Sequence, residues 1–447
     1  MSLSEVLRNQ GDECYRRATQ VDADSSPAKA RNFYEQALFQ FHQAFTKAGD
    51  RNDVFLAAIK IGEAAWRIAR VLNGEKDEPE AIIFYLHDAI KGFLVAYNHT
   101  EDCAERRTEV LKNLIPCYQE VITMADTLGS PDQNIAQVEK LCTMNTVVEA
   151  AGDIQLILGT LYFYDGVNSL EKGNYIKCLK RMNDCNQPIE EVRRLGESCE
   201  RRHIEEVTEL EYNVRCCFRS ASSIKALLLG NELLELAMQE EQNFDLIPDV
   251  IEWFNQAVNF ARGIDLVQEA IASSRLGMVY DKVMKNTDLA KAHFTKCFEL
   301  VEALKPRTFL LDEWYQDCTA ALKRYQDEAR ARDEEEQRKS RAEVKEELAD
   351  ELKDLNDHNS DAISFIKHLY LNYPPKLSSW EKPGEEDMKK WDSLDIRSKE
   401  YKKLLLKALR FYHPDKVNEN EHGKEWEVLC EEITKMLNLH FESAKDI

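Results

Sequence analysis

The sequence predicts an all-α protein: a long tandem array of helices, a charged connecting helix, and a smaller helical domain near the C-terminus. Three observations carry this reading. Glycine and proline are sparse, 16 and 11 in 447 residues, so long stretches contain nothing that breaks a helix. Apolar residues recur at three- and four-residue spacing in run after run, with little of the alternation that marks strands. Residues 326–357 are dominated by charges of both signs, lack both helix breakers, and separate two regions of different character. The chain is also too long for one ordinary core, which asks for two or more domains.

Residues 1–325 read as one amphipathic helix after another. The clearest pair sets Leu276, Gly277 and Tyr280 on a first helix and Ala290, Phe294 and Cys297 on a second. Small residues at Gly277 and Ala290 would let the helices approach closely, while Tyr280 and Phe294 fill the space between pairs. Another copy has Tyr162, Gly166 and Ser169, then Cys178, Met182 and Cys185, with Gly173-Asn174 at the turn. Near the N-terminus, Gly11, Cys14, Ala30, Tyr34 and Ala37 are matched by Gly62, Ala65, Ala81, Tyr85 and Asp88. These spacings resemble the tetratricopeptide repeat, although the step from Gly11 to Gly62 is longer than that family's usual repeat of about 34 residues. The resemblance implies a tetratricopeptide-like solenoid, in which each hairpin covers the apolar face its neighbour cannot bury alone. The alternative is an irregular helical bundle that only imitates repeats. Residues 190–211 mix both charges on a helical pattern and read as a solvated face.

Some tetratricopeptide domains grip the acidic C-terminal tail of heat-shock chaperones with Lys, Arg and Asn side chains on their first helices. The matching positions here are Arg8 and Asp12. An aspartate where the clamp needs an asparagine would repel a carboxylate, so a different, unknown protein or peptide is the expected partner of the repeats.

In residues 326–357 only Val344, Leu348, Leu352 and Leu355 form an apolar strip. The segment is expected to stand as a semi-rigid helical linker held by i,i+4 ion pairs, each worth about 0.2–0.5 kcal/mol. Disorder is the alternative.

Residues 358–447 contain the stretch with the most functional information, Tyr401 to Lys416. Tyr401, Leu405, Ala408 and Tyr412 mark one apolar stripe of a helix. Lys399, Lys403, Lys407 and Arg410 follow the same period on another face. Between residues 389 and 416 lie nine Lys or Arg and four Asp or Glu, a local excess of positive charge in a chain of net charge −22. The helix should stop before Pro414, because proline disfavours helical backbone in the residue ahead of it. His413, Pro414, Asp415 and Lys416 then form a turn, and Trp426, Leu429, Cys430, Ile433 and Leu437 begin a second amphipathic helix. The local alternative is that Asp415 only caps the next helical segment. Helix, HPD turn and helix together resemble the J-domain of the DnaJ co-chaperones, with the C-terminal placement and extended loop of the auxilin-like branch. The candidate first helix, Ala362 to Tyr373, lacks the family's usual Tyr-x-x-Leu-Gly-Val ending. Residues 374–394, with Pro374, Pro375, Pro383 and Gly384, read as a long loop.

The resemblance implies a non-enzymatic partner of a DnaK-type heat-shock ATPase. The basic ridge would dock on the chaperone, with His413, Pro414, Asp415 and Lys416 as contact residues. The alternative is a helical-repeat scaffold whose J-like end is inactive. No phosphate-binding glycine loop, HExxH, GxSxG or dinucleotide pattern occurs, so no catalytic residue or cofactor is expected. The strong negative charge argues against a nucleic-acid partner. The 12 cysteines include no CxxC pair and sit on apolar faces, as reduced thiols in a cytoplasmic protein rather than metal ligands or disulfides. The sequon at Asn98 would then be idle. The first residues carry neither a basic start nor an apolar run, so no secretory leader is expected. No stretch approaches the ~20 apolar residues of a membrane span.

Overall fold

The computed structural model describes residues 2–21, 26–76, 78–100, 103–196, 201–239, 244–377, 379–417 and 419–445. Every regular element among them is helical. The chain divides into two compact units, Met1–Thr319 and Ala320–Ile447.

In the first unit helices pair as successive antiparallel neighbours. The first pairs are α1 (Leu3–Gln20) with α2 (Pro27–Thr46), α3 (Arg51–Glu75) with α4 (Pro79–Tyr97), and α5 (Ala104–Ala125) with α6 (Pro131–Met144). Then come α7 (Val148–Glu171) with α8 (Tyr175–Asp184), α9 (Asn186–Leu195), α10 (Arg201–Gln239) with α11 (Ile247–Ala261), and α12 (Leu266–Met278) with α13 (Thr287–Ala303). Local chemistry sets these ends. Ser2 and Glu5 form a capping box, while Asp50, Asn174, Asp265 and Asn286 each accept a backbone N–H of the first turn. Each such cap satisfies a donor the helix cannot pair internally, worth about 1 kcal/mol. Prolines open α2, α4 and α6, where the missing N–H costs nothing.

One packing device recurs. A Cβ placed on Gly11 would come within 2.5 Å of the Phe41 ring, on Gly62 within 2.6 Å of Phe93, on Gly230 within 2.6 Å of Phe254, and on Gly277 within 2.8 Å of Phe294. Each glycine of a first helix thus receives an aromatic ring of the second. Gly92 goes further, because its missing Cβ would lie 2.7 Å from the backbone nitrogen of Gly62, so α3 and α4 touch main chain to main chain.

The 51-residue offset of the sequence also appears as contacts between hairpins. Ser2 donates to Asp53 at 3.1 Å, Arg67 to Tyr15 at 3.3 Å, Tyr85 to Glu35 at 3.3 Å and Arg70 to Glu120 at 3.0 Å. His87 meets Gln137 at 3.0 Å and His203 meets Asp153 at 2.7 Å. All six pairs are 50 to 52 residues apart in sequence, so equivalent positions of successive hairpins are joined. Later the step shortens: Ser274 donates to the carbonyl of Trp314, 40 residues on. The unit is therefore a stack of helical hairpins rather than an irregular bundle. Residues 190–211 carry the solvated charged face expected, with Arg193, Arg194, Glu205, Glu206 and Glu209 exposed, and a buried face opposite it. Val192, His203, Val207 and Leu210 are buried, because α9 and α10 continue the stack; residues 197–200 lie outside the described ones.

The second unit holds most of α14 (Glu313–Glu347), then α15 (Ala349–Asp357), α16 (Ala362–Asn372), α17 (Glu385–Trp391), α18 (Lys399–Tyr412), α19 (Glu419–His422) and α20 (Lys424–Lys445). The charged segment is helical, and i,i+4 pairs such as Arg330–Glu334 at 2.9 Å line its first half. It is not a free-standing linker over its whole length, as 326–357 was expected to be. Leu348 and Leu355 are buried in the core of the C-terminal unit, with Val344 and Leu352 packed against it. Arg341 pairs with Glu431 at 3.2 Å, Lys345 with Glu432 at 2.6 Å, and Lys424 donates to Ser340 at 2.7 Å. The apolar strip needs a partner, and α20 with α16 supplies it. The boundaries expected at 325/326 and 357/358 accordingly give way to a single division at 319/320, inside α14.

Residues 374–394 are likewise more than a loop. They contain α17, and Trp380 and Trp391 set their rings edge-on to Tyr370 at 5.8 and 6.1 Å.

Candidate functional site

The site centres on α18. Ser398 caps its start, accepting from the Tyr401 N–H at 3.1 Å. Tyr401, Leu405, Ala408, Leu409 and Tyr412 are buried, while Lys399, Lys403, Lys407 and Arg410 are exposed along the other side. None of these four cations joins an ion pair among the described residues, although Glu381 and Glu400 line the groove beside Lys403 and Lys407. Lys407 lies 5.9 Å from the centre of the Phe411 ring, consistent with a side chain whose stem lies on apolar surface.

The helix ends at Tyr412, ahead of Pro414 as expected, and Pro414–Lys416 form a single 3-10 turn. Inside the turn the Lys416 N–H donates to the His413 carbonyl at 2.9 Å, and Val417 to that of Pro414 at 3.0 Å. Asp415 does not cap the turn. The cap is His413, whose Nδ1 accepts the Asp415 N–H at 3.2 Å, which leaves the Asp415 carboxylate facing solvent. The side chains of His413 and Asp415 are 50% and 87% exposed.

The base of this turn is held firmly. Tyr412 is fully buried; its hydroxyl donates to the Tyr373 carbonyl at 2.8 Å, and its own carbonyl accepts from Thr434 at 2.9 Å. Burial pushes the Tyr412 phenol far above its ordinary range, so it stays a neutral donor. α16, α18 and α20 thereby meet at one residue directly before the HPD sequence. Beside the ridge, Tyr370, Trp380, Trp391, Leu404 and Phe411 line an open groove of about 310 Å³, to which Lys403 and Lys407 also contribute. Sequence reasoning missed the groove; two tryptophans in an otherwise polar segment were the available signal.

No protein-family model matches the chain, and no curated protein does. Thirty chains of solved structure match it. One is a "circular tandem repeat protein with novel repeat topology and enhanced subunit contact surfaces". It is 13% identical, with 99% of this chain and 91% of that one covered, at a TM-score of 0.34. A likeness that slight carries no argument about function. The site therefore stands on its own geometry.

At the other candidate position, Arg8 is engaged within the stack. It pairs with Asp53 at 2.7 Å, both side chains being largely covered at 12% and 13% exposure. Its guanidinium holds the Asp53 carboxyl below its ordinary range. Asp12 lies 3.6 Å from Lys60. Neither is arranged to receive a carboxylate ligand. Calorimetric titration of the full chain with an acidic chaperone tail peptide is accordingly expected to give no binding in the micromolar range. A micromolar isotherm that Asp12→Asn tightens would refute this.

Proposed function

We propose that this chain is a J-domain co-chaperone of the DnaJ type that stimulates ATP hydrolysis by a DnaK-type heat-shock ATPase, its tetratricopeptide-like repeats engaging a partner or client protein. The observation that carries the reading is the HPD turn itself. Its two polar side chains are exposed on a short 3-10 turn whose base is locked by Tyr412 and Thr434, at the end of a helix with an unpaired cationic ridge. The exposed ridge docks on an acidic face of the ATPase. Asp415 then meets a cationic group there, His413 contacts the region linking the partner's domains, and Pro414 fixes the shape of the turn. The partner hydrolyses ATP; this chain supplies binding energy, not catalysis, and needs no nucleic acid or cofactor. A cytosolic ATPase fits best, since the described cysteines are all free thiols and no helix of the described residues is long and apolar enough to cross a membrane.

Single-turnover ATP hydrolysis by a cytosolic heat-shock ATPase, with and without the full chain, tests the reading. Acceleration supports it. An unchanged rate would favour the scaffold reading, in which the long, tryptophan-anchored 374–394 segment has turned the C-terminal unit to another use.

Docking through the ridge should depend on salt. Charges attract over about one Debye length, ~10 Å at 0.1 M, and mainly raise association rates. Reversing Lys403 and Lys407 to glutamate leaves the buried stripe of α18 intact, so circular dichroism should remain helical while association slows several-fold at low salt. The difference should shrink at high salt. Equal association of the two proteins at low salt would show that the ridge only keeps the helix soluble.

A further inference from the structure

A second cluster lies at the junction of α15 and α16, away from the groove and the HPD turn. Asp354 and His358 sit one helical turn apart at the end of α15, and His368 faces them from α16. Their ligand atoms all lie within 4.8 Å of one another. Asp354 Oδ2 meets His368 Nε2 at 2.7 Å, and its Oδ1 lies 3.2 Å from His358 Nδ1. The two imidazoles stack with centres 3.9 Å apart and planes at 9°, so both present a ring nitrogen to the same carboxylate. Tyr373 donates to Asp354 Oδ2 at 2.8 Å, and the Asn372 amide stands 3.0 Å from His368 Nδ1. His368 is 14% exposed, while Asp354 and His358 are 37% and 51% exposed, which leaves one open side.

Two imidazole nitrogens and a carboxylate oxygen form a donor set suited to zinc and its transition-metal neighbours; calcium and magnesium take oxygen ligands. We propose that Asp354, His358 and His368 bind one zinc-class divalent ion, with water in the open position. On binding, His368 changes tautomer: the proton between its Nε2 and Asp354 leaves for solvent, Nδ1 takes one up, and the freed Nε2 lone pair turns to the metal. Asn372 rotates its amide to accept the Nδ1–H, fixing the ring's tautomer as outer-shell partners of zinc ligands do. His358 must also give up the 2.9 Å contact of its Nδ1 with the Asp354 carbonyl and carry its proton on Nε2. Two hydrogen bonds, from His368 Nε2 to the Asp354 carboxylate and from His358 Nδ1 to the Asp354 carbonyl, are thereby exchanged for two metal–nitrogen bonds. The ion ties α15 to α16, so metal should raise the unfolding midpoint of the C-terminal unit.

The test is titration of the full chain, stripped with EDTA and desalted, with zinc chloride, and with cobalt(II) as a visible reporter. One equivalent should bind with a Kd below about 100 μM, and cobalt should give the intense bands of a four-coordinate site. His368→Ala should weaken binding at least about tenfold, given that even outer-shell changes cost 10–100-fold. His358→Ala should do the same. It sits half-exposed at a helix end, so its unfolding midpoint in EDTA should match the unmodified chain and loss of binding cannot be ascribed to misfolding. No binding in this range, binding unchanged in both variants, or a cobalt spectrum of six-coordinate type would overturn the assignment. None of these readouts involves the heat-shock ATPase, so the outcome is independent of the proposed function.

Discussion

Asp415→Asn is expected to abolish stimulation of the heat-shock ATPase while leaving the chain folded. The substitution keeps the size and shape of the side chain and removes its charge. Little in the turn depends on that charge: the cap is made by the His413 ring to the Asp415 backbone N–H, and the carboxylate is 87% exposed, its one contact in the turn being a long 3.6 Å approach to His413 Nδ1 that is worth little so close to water. Stability should change by no more than about 0.5 kcal/mol, the usual range for surface substitutions. A carboxylate that meets a cationic group in the docked complex is worth far more there than in free solution, since removing one partner leaves the other charge unpaired in the interface. The measurement is single-turnover ATP hydrolysis over a range of chain concentrations, beside a thermal unfolding curve. Loss of stimulation with an unchanged melting curve is the expected pair of results. If the asparagine variant stimulates as well as the unmodified chain, the co-chaperone reading fails even though the fold is intact.

The second large effect concerns the stack. Gly92→Ala should destabilise the N-terminal unit by about 3 kcal/mol, the upper part of the range for overpacking. The added methyl would meet the Gly62 backbone nitrogen at 2.7 Å and the Ala58 carbonyl oxygen at 2.9 Å. Main chain inside two packed helices cannot swing aside, so α3 and α4 must separate. Gly62→Ala should cost somewhat less, because its nearest neighbour is the Phe93 ring at 2.6 Å, a side chain with some freedom to tilt. Gly74, in the same helix, has nothing within 4 Å of the corresponding position. Gly74→Ala should therefore be neutral or stabilising by up to about 1 kcal/mol, the gain in helix propensity. Urea unfolding of the three variants gives the order directly. A Gly92→Ala protein as stable as Gly74→Ala would mean that the close approach of α3 and α4 is not a real feature of the molecule.

Several features were legible in the chain itself. Helical periodicity and the scarcity of breakers foretold an all-α fold, and every regular element among the described residues is helical. The Gly11 to Gly62 offset anticipated the step at which hairpins bond to one another, although the pairing of Gly230 with Phe254 went unnoticed inside the long pattern of α10. The two faces of α18 and its stop before Pro414 were equally readable. Each of these is a local property: a helix face, a cap or a breaker is decided by residues within a few positions, and a repeat copies local properties along the chain.

What the chain could not disclose depends on partners far away in sequence. The charged helix reads as a spacer because its own residues supply only a thin apolar strip. Its last turns belong to the C-terminal core because Lys424 reaches Ser340 from 84 positions on and α20 covers Leu348 and Leu355. Trp380 and Trp391 look like incidental residues of a polar loop until Tyr370 is seen beneath them. His358 and His368, ten positions apart on different helices, become neighbours only through the turn between α15 and α16. Periodicity says which face of a helix is apolar. Which other face it meets is settled by the loss of water-exposed apolar surface summed over the whole domain, and only the folded chain performs that sum.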